Sequence, residues 1–154
     1  MTAIRSYLFA VWLIVASTIL CLLYIPSFIL PRAVLRPLLR LWGATMMFGA
    51  RWICGIKVEV RGREHVPTGP ALIAAKHQSM LDICAQFVVL PDACFVMKKE
   101  LLLIPLFGGY AMKGRMIWVD REGHSAALKK LVADTQDRMR NDRQVIIFPE
   151  GTRT

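Results

Sequence analysis

Between Ser6 and Pro31 no side chain carries a charge, and Tyr7 to Leu30 forms one apolar run, longer than the roughly 20 residues that a bilayer-crossing helix needs. That run divides the chain. With so much apolar content in the first third of 154 residues, roughly a hundred remain for a water-soluble core, enough for one small domain. A cleaved secretory signal is disfavoured: the apolar stretch is too long, and large apolar residues, Pro26, Pro31 and Arg32 stand where small residues would precede a cleavage site. Arg5 is the one cation before the run, while Arg32, Arg36, Arg40, Arg51 and Lys57 follow it. The positive-inside bias therefore places the C-terminal side in the cytoplasm.

A second helical stretch comes next. Leu35, Leu38, Leu39, Trp42, Met46 and Ile53 recur near helical spacing, and Arg32, Arg36 and Arg40 line another stripe. After an apolar run, this pattern predicts an amphipathic helix over 32–54 lying at the membrane interface. Pro26 and Pro31 separate it from the apolar helix over 7–30, and the pair reads equally as a full crossing plus an interfacial helix or as a re-entrant hairpin in one leaflet. Residues 1–55 are thus an anchor. The formal net charge of +9 asks for an anionic partner, and beside such an anchor the anionic cytoplasmic leaflet fits better than nucleic acid. The basic residues also fail to interleave with aromatics on one face, as a nucleic-acid groove requires. Cys21, Cys54, Cys84 and Cys94 show no C-x-x-C or zinc-type spacing and read as free thiols in a reducing compartment, Cys84 and Cys94 as core fillers.

From residue 56 onward the periodicity changes. Strands are expected at Ile56–Val60, Ala71–Ala75, Cys94–Lys98, Met116–Asp120 and Val145–Phe148. Helices are expected up to Leu90 and over 125–141, where Leu128, Leu131, Val132, Thr135 and Met139 share a face, with a short helical or turn region around Leu101–Phe107. Alternation of strands and helices predicts an α/β sheet domain over 56–154, at least partly parallel. The chain reaches Thr154 just after an apolar strand, which reads as a sheet domain incomplete at its C-terminal side.

Three clusters follow predicted strands, the place where α/β folds put their sites. The first is His77-Gln78-Ser79-Met80-Leu81-Asp82. Five positions apart on one helix, His77 and Asp82 would point away from each other, so a functional pair requires His77 in the loop and Ser79 capping a helix with Asp82 in its first turn. A carboxylate holding one imidazole nitrogen leaves the other to take a proton from a hydroxyl. The second cluster runs from Lys98 and Lys99 to Gly114 and on to Asp120 and Arg121, with glycines for tight backbone and cations for a phosphate. Gly109-x4-Gly114-Arg115 lacks the Lys and Ser or Thr of a P-loop. The third, Phe148-Pro149-Glu150-Gly151-Thr152-Arg153, offers a carboxylate, backbone amides, a hydroxyl and a guanidinium, suited to a polyhydroxyl phosphate. No Gly-x-Ser-x-Gly elbow supports a serine hydrolase. His65 and His124 read as surface residues.

In order and context these clusters resemble the blocks of the glycerolipid acyltransferase superfamily, with bacterial 1-acylglycerol-3-phosphate acyltransferases the nearest match. His77–Asp82 matches the first block, Gly114–Arg121 the second and Phe148–Arg153 the third, so the likeness covers roughly 58–154. The resemblance implies His77 as general base, Asp82 as its orienting partner, and Lys99, Arg121, Glu150, Gly151, Thr152 and Arg153 as binding positions for the acceptor. It implies direct acyl transfer from acyl-CoA or acyl carrier protein to the 2-hydroxyl of lysophosphatidic acid, without metal, cofactor or acyl-enzyme, at the cytoplasmic face of the inner membrane. Met80 stands where the family often has an aromatic, and the family's fourth, apolar block has no counterpart before Thr154. A lipid-binding protein without turnover, or an acyltransferase for another glycerolipid, are the competing expectations.

Overall fold

The computed structural model describes residues 2–120 and 124–150. They form two compact units, one built of residues 1–66 and 79–89, the other of 67–78 and 90–154.

The first unit is helical. Helix α1 (Thr2–Leu23) ends before Leu30, the expected limit, because Pro26 removes a backbone donor and the chain passes into short 3-10 turns at Ile25–Ile29 and Arg32–Val34. Helix α2 (Leu35–Cys54) then runs back along α1. Cys54 Sγ contacts the Arg5 carbonyl at 3.6 Å, Trp12 Nε1 donates to the Thr45 carbonyl at 3.4 Å, and Trp42 Nε1 donates to Ser17 Oγ at 2.9 Å. Partner numbers fall on one helix as they rise on the other, so the two form an antiparallel hairpin, with α2 packed against α1 along its length. Of the two, α1 is long and apolar enough to cross a membrane, and its apolar span is left on the outside of the unit. Tyr7, Ile14, Ile19 and Leu23 all face outward.

Helix α3 (Met80–Val89) belongs to this unit and not, as the sequence suggested, to the sheet domain. The reason is close packing on α2. A Cβ on Gly43 would lie 2.6 Å from the Cys84 carbonyl oxygen, so the two backbones touch there. Trp42 meets Phe87 edge-on at 6.0 Å, and Ala16, Met46 and Cys84 form the buried centre. The strand expected at Ile56–Val60 is absent; this stretch is almost wholly exposed and pairs with no other strand.

The second unit carries a four-stranded, all-parallel sheet in the order β1-β4-β2-β3: β1 (Ala71–Ala74), β2 (Ala93–Lys98), β3 (Ile117–Val119) and β4 (Gln144–Ile147). Two of its crossovers are helices of the same unit, α4 (Phe107–Lys113) between β2 and β3, and α5 (His124–Arg140) between β3 and β4. Cys94, Ile117 and Val145 form the core, with Leu131 and Met139 of α5 packed on it. Leu128 and Val132, expected on the same buried face, are exposed, because the space between α5 and the β1 and β4 strands stays open as an apolar groove lined by Leu72, Leu131, Val132, Thr135, Gln136 and Ile147.

Just before the strands, at the sheet's N-terminal edge, lies a buried polar lattice that the sequence reading missed. Arg143 Nε pairs with Asp92 Oδ1 at 3.2 Å, and its other nitrogens donate to the carbonyls of Arg115 at 2.9 Å and Ala93 at 3.2 Å. Gln144 accepts from the Asp92 backbone N–H at 2.8 Å and donates to the Gly69 carbonyl at 2.6 Å. Two side chains therefore tie together the entrances to every strand of the sheet.

Candidate functional site

Parallel strands deliver their following loops to a common edge, so the residues after β1, β2, β3 and β4 gather at the C-terminal side of the sheet. After β1 the ladder continues one residue, the Ala75 N–H donating to the Ile147 carbonyl at 3.0 Å, and the chain then leaves through Lys76 to His77. His77 lies in loop, as the functional pairing requires. Beyond β4 come Phe148 and Glu150. The His77 imidazole stacks on Phe148 with centroids 4.3 Å apart and planes 24° from parallel, and Phe148 in turn stacks on the buried Phe95 of β2 at 6.1 Å. From the same loop the His77 backbone N–H donates to Glu150 Oε2 at 3.3 Å. The first and third clusters, 73 residues apart, are thus joined twice, once through a ring and once through the backbone.

Each contact has a chemical consequence. Stacking on Phe148 fixes the plane of the imidazole. Glu150, expected at the acceptor, first of all fastens the loop that carries His77.

Asp82 sits in the helical unit, in the first turn of α3. Its Oδ2 accepts the Ser79 backbone N–H at 2.8 Å and its Oδ1 the Ser79 hydroxyl at 3.3 Å, while Ser79 Oγ accepts the Leu81 N–H at 3.2 Å. This is a reciprocal capping box with Ser79 as the cap, the arrangement the sequence predicted for Ser79. The carboxylate also lies at the positive end of the helix.

In the second cluster, Lys99 directly follows β2 and Asp120 directly follows β3; their side chains pair at 2.9 Å, both partly exposed. An ion pair this exposed contributes at most about 1 kcal/mol. Arg121, Gly151, Thr152 and Arg153 lie outside the described residues. Among the described residues no group of His, Cys, Asp or Glu side chains converges as metal ligands do. Phe95 was not read as part of the site. Its one signal was an aromatic in a strand facing the same edge, which any core strand shows.

An acyltransferase family model matches residues 57–154 of this chain. Over 155 residues the chain is 34% identical to a 1-acyl-sn-glycerol-3-phosphate acyltransferase of Pseudomonas aeruginosa, a match covering 98% of this chain and 60% of that protein. Over 110 residues it is 36% identical to the mouse 1-acyl-sn-glycerol-3-phosphate acyltransferase alpha, covering 70% of this chain and 39% of the mouse protein. In fold it is similar to the crystal structure of a 1-acyl-sn-glycerophosphate acyltransferase from Thermotoga maritima, with a TM-score of 0.74 at 23% identity over 100% of this chain and 64% of that one. The chain therefore spans less than two thirds of the length of each of these relatives.

Proposed function

This chain belongs to the acyltransferase family, and from that premise we propose that it moves a fatty acyl group from acyl-CoA or acyl carrier protein to the 2-hydroxyl of 1-acylglycerol 3-phosphate, giving phosphatidic acid. The observation that carries the proposal is the double tie between His77 and the loop after β4, through Phe148 and through Glu150. It supports reading a lone histidine as a positioned base.

In this reading His77 takes the proton of the acceptor hydroxyl while Asp82 orients the imidazole. The hydroxyl oxygen attacks the thioester carbon, the carbon–sulfur bond breaks, and the departing thiolate receives the proton from His77. No side chain becomes acylated. Lys99, Arg121 and Arg153 hold the acceptor phosphate, Arg with its planar fork, while Glu150, Gly151 and Thr152 line the glycerol. No cofactor or metal takes part. Helix α1 lies in the bilayer, which covers its outward apolar side, and the catalytic unit works at the cytoplasmic face of the inner membrane.

Acyl transfer measured in mixed micelles tests this with both donors, using the chain itself and the chain extended by the C-terminal part of the Pseudomonas aeruginosa relative. His77→Ala is expected to lower kcat by about 100- to 10,000-fold with little change in lysolipid affinity, because a proton acceptor acts in the transition state. Arg153→Ala is expected to raise the acceptor KM instead. Binding of lysophosphatidic acid with no turnover by either protein would favour a lipid-binding role.

A further inference from the structure

The connection between β2 and α4 exposes a run of apolar side chains. Leu103 is 84% exposed, Ile104 and Phe107 are each more than two fifths exposed, and Pro105 between them is exposed as well. A water-facing surface seldom carries such a run, since each apolar side chain left in water forgoes roughly 25 cal/mol per Å².

This tip is also built to stay in place. A 3-10 turn over Lys99–Leu103 leads to Ile104, whose N–H donates to the Leu101 carbonyl at 3.3 Å. Leu106 then adopts φ 63° and ψ −49°, a left-handed backbone that a leucine rarely takes, closing a γ-turn in which the Phe107 N–H donates to the Pro105 carbonyl at 2.7 Å. The Gly108 N–H donates to the Ile104 carbonyl at 3.0 Å, and a Cβ on Gly108 would lie 1.9 Å from the Leu102 carbonyl oxygen, so the chain folds back on itself with no room for a side chain. Backbone strain of this kind persists where the surroundings over-determine it. The hydrogen bonds hold the apolar side chains outward instead of letting them collapse.

Charge completes the picture. Lys98 and Lys99 precede the tip and Lys113 ends α4, with Glu100 as the one acidic residue from Lys98 to Lys113, in a chain of net charge +9. Apolar side chains rimmed by lysines are what an anionic bilayer surface accepts, the side chains entering the headgroup boundary and the ammonium groups remaining among phosphates.

We infer that the Leu103–Phe107 tip inserts into the interfacial layer of an anionic membrane, giving the sheet unit a lipid contact of its own, separate from α1. The tip leaves the C-terminal end of β2, the sheet edge that carries His77 and Glu150, so the contact holds that edge close to lipid. The inference does not depend on acyl transfer.

The test uses the full chain with Cys21→Ala and Cys54→Ala, leaving Cys84 and Cys94, both buried with their thiol pKa pushed up by that burial. Leu103→Cys is labelled with nitrobenzoxadiazole and reconstituted in vesicles of phosphatidylethanolamine and phosphatidylglycerol; Lys129→Cys, on exposed α5, is the control. Expected is a blue-shifted emission at position 103 that loses most of its intensity when the lipids carry a nitroxide on the acyl chain, with the label at position 129 unshifted and unquenched. Equal, water-like spectra at both positions would overturn the inference. So would a blue shift that the nitroxide lipids leave unquenched, which would assign the tip to a second copy of the chain.

Discussion

Replacing Arg143 by methionine removes the centre of the lattice under the sheet while nearly preserving side-chain length. The losses include the pair with Asp92, a residue only 8% exposed, and the bonds to the Ala93 and Arg115 carbonyls. The Arg115 carbonyl keeps Arg138 Nε as a donor at 2.8 Å, so its loss is small. Asp92 dominates, because removing one member of a buried ion pair typically costs 3–5 kcal/mol, about 4 kcal/mol here with the Ala93 bond included. For a protein of this size each kcal/mol moves Tm by about 2–4 °C, so Arg143→Met should lower the sheet unit's transition by roughly 8–16 °C. Circular dichroism of the detergent-solubilised protein during heating measures it, with Asp92→Asn and the double variant completing a cycle. The double variant should recover about half of the loss, since asparagine leaves no unpaired charge. A single-variant shift below about 2 °C, or a double variant as poor as the sum of the singles, would refute the claim that an uncompensated carboxylate sets the cost.

Other changes separate packing from chemistry. Phe148→Leu removes a ring stack worth about 0.5–1.5 kcal/mol, so kcat for acyl transfer should fall roughly two- to tenfold with acceptor KM unchanged, while Phe148→Tyr keeps the stack and most of the rate. Gly43→Ala would ordinarily gain up to about 1 kcal/mol of helix propensity, but its Cβ meets the Cys84 carbonyl at 2.6 Å; a net loss of about 1–3 kcal/mol in thermal denaturation is expected. Burial pushes the Cys84 thiol up to about 12, so at pH 8 roughly one molecule in ten thousand carries the reactive thiolate. Maleimide should therefore label Cys54 well before Cys84. Because the native thiol stays protonated where the unfolded one ionises, the stability Cys84 contributes is lost as pH rises from about 9 towards 12, and denaturation midpoints across that range should fall less in Cys84→Ala.

Much of this was legible in the chain because period and punctuation report local structure faithfully. The 3.6-residue spacing from Leu35 onward marks α2, the apolar run before Phe148 marks β4, and Ser79 three residues before Asp82 marks a helix start. What local pattern cannot report is which surfaces meet. Ile56–Val60 has a strand's composition but no partner, and a strand exists through its partner. Helix α3 joined the helical unit because Gly43 admits its backbone, a fact of fit and not of periodicity. Arg143 and Asp92 were not singled out in the sequence, since nothing in a one-dimensional pattern says that two distant charges share a buried space. The histidine of the site and Phe148 were both visible in their clusters; that the one ring stacks on the other was not.

The strand order has a consequence for how such a chain is made. In the sheet β4 lies between β1 and β2, yet Gln144, the first residue of β4, is 73 positions beyond Ala71, its partner in β1. During synthesis β1 must wait, unpaired, while α3, β2, β3 and α5 emerge, and long-range parallel pairing of this kind is slow and exposes strand edges. Helix α1, complete from the outset, has that interval to find the bilayer, so the nascent protein is expected to be delivered to the membrane before its sheet unit has closed.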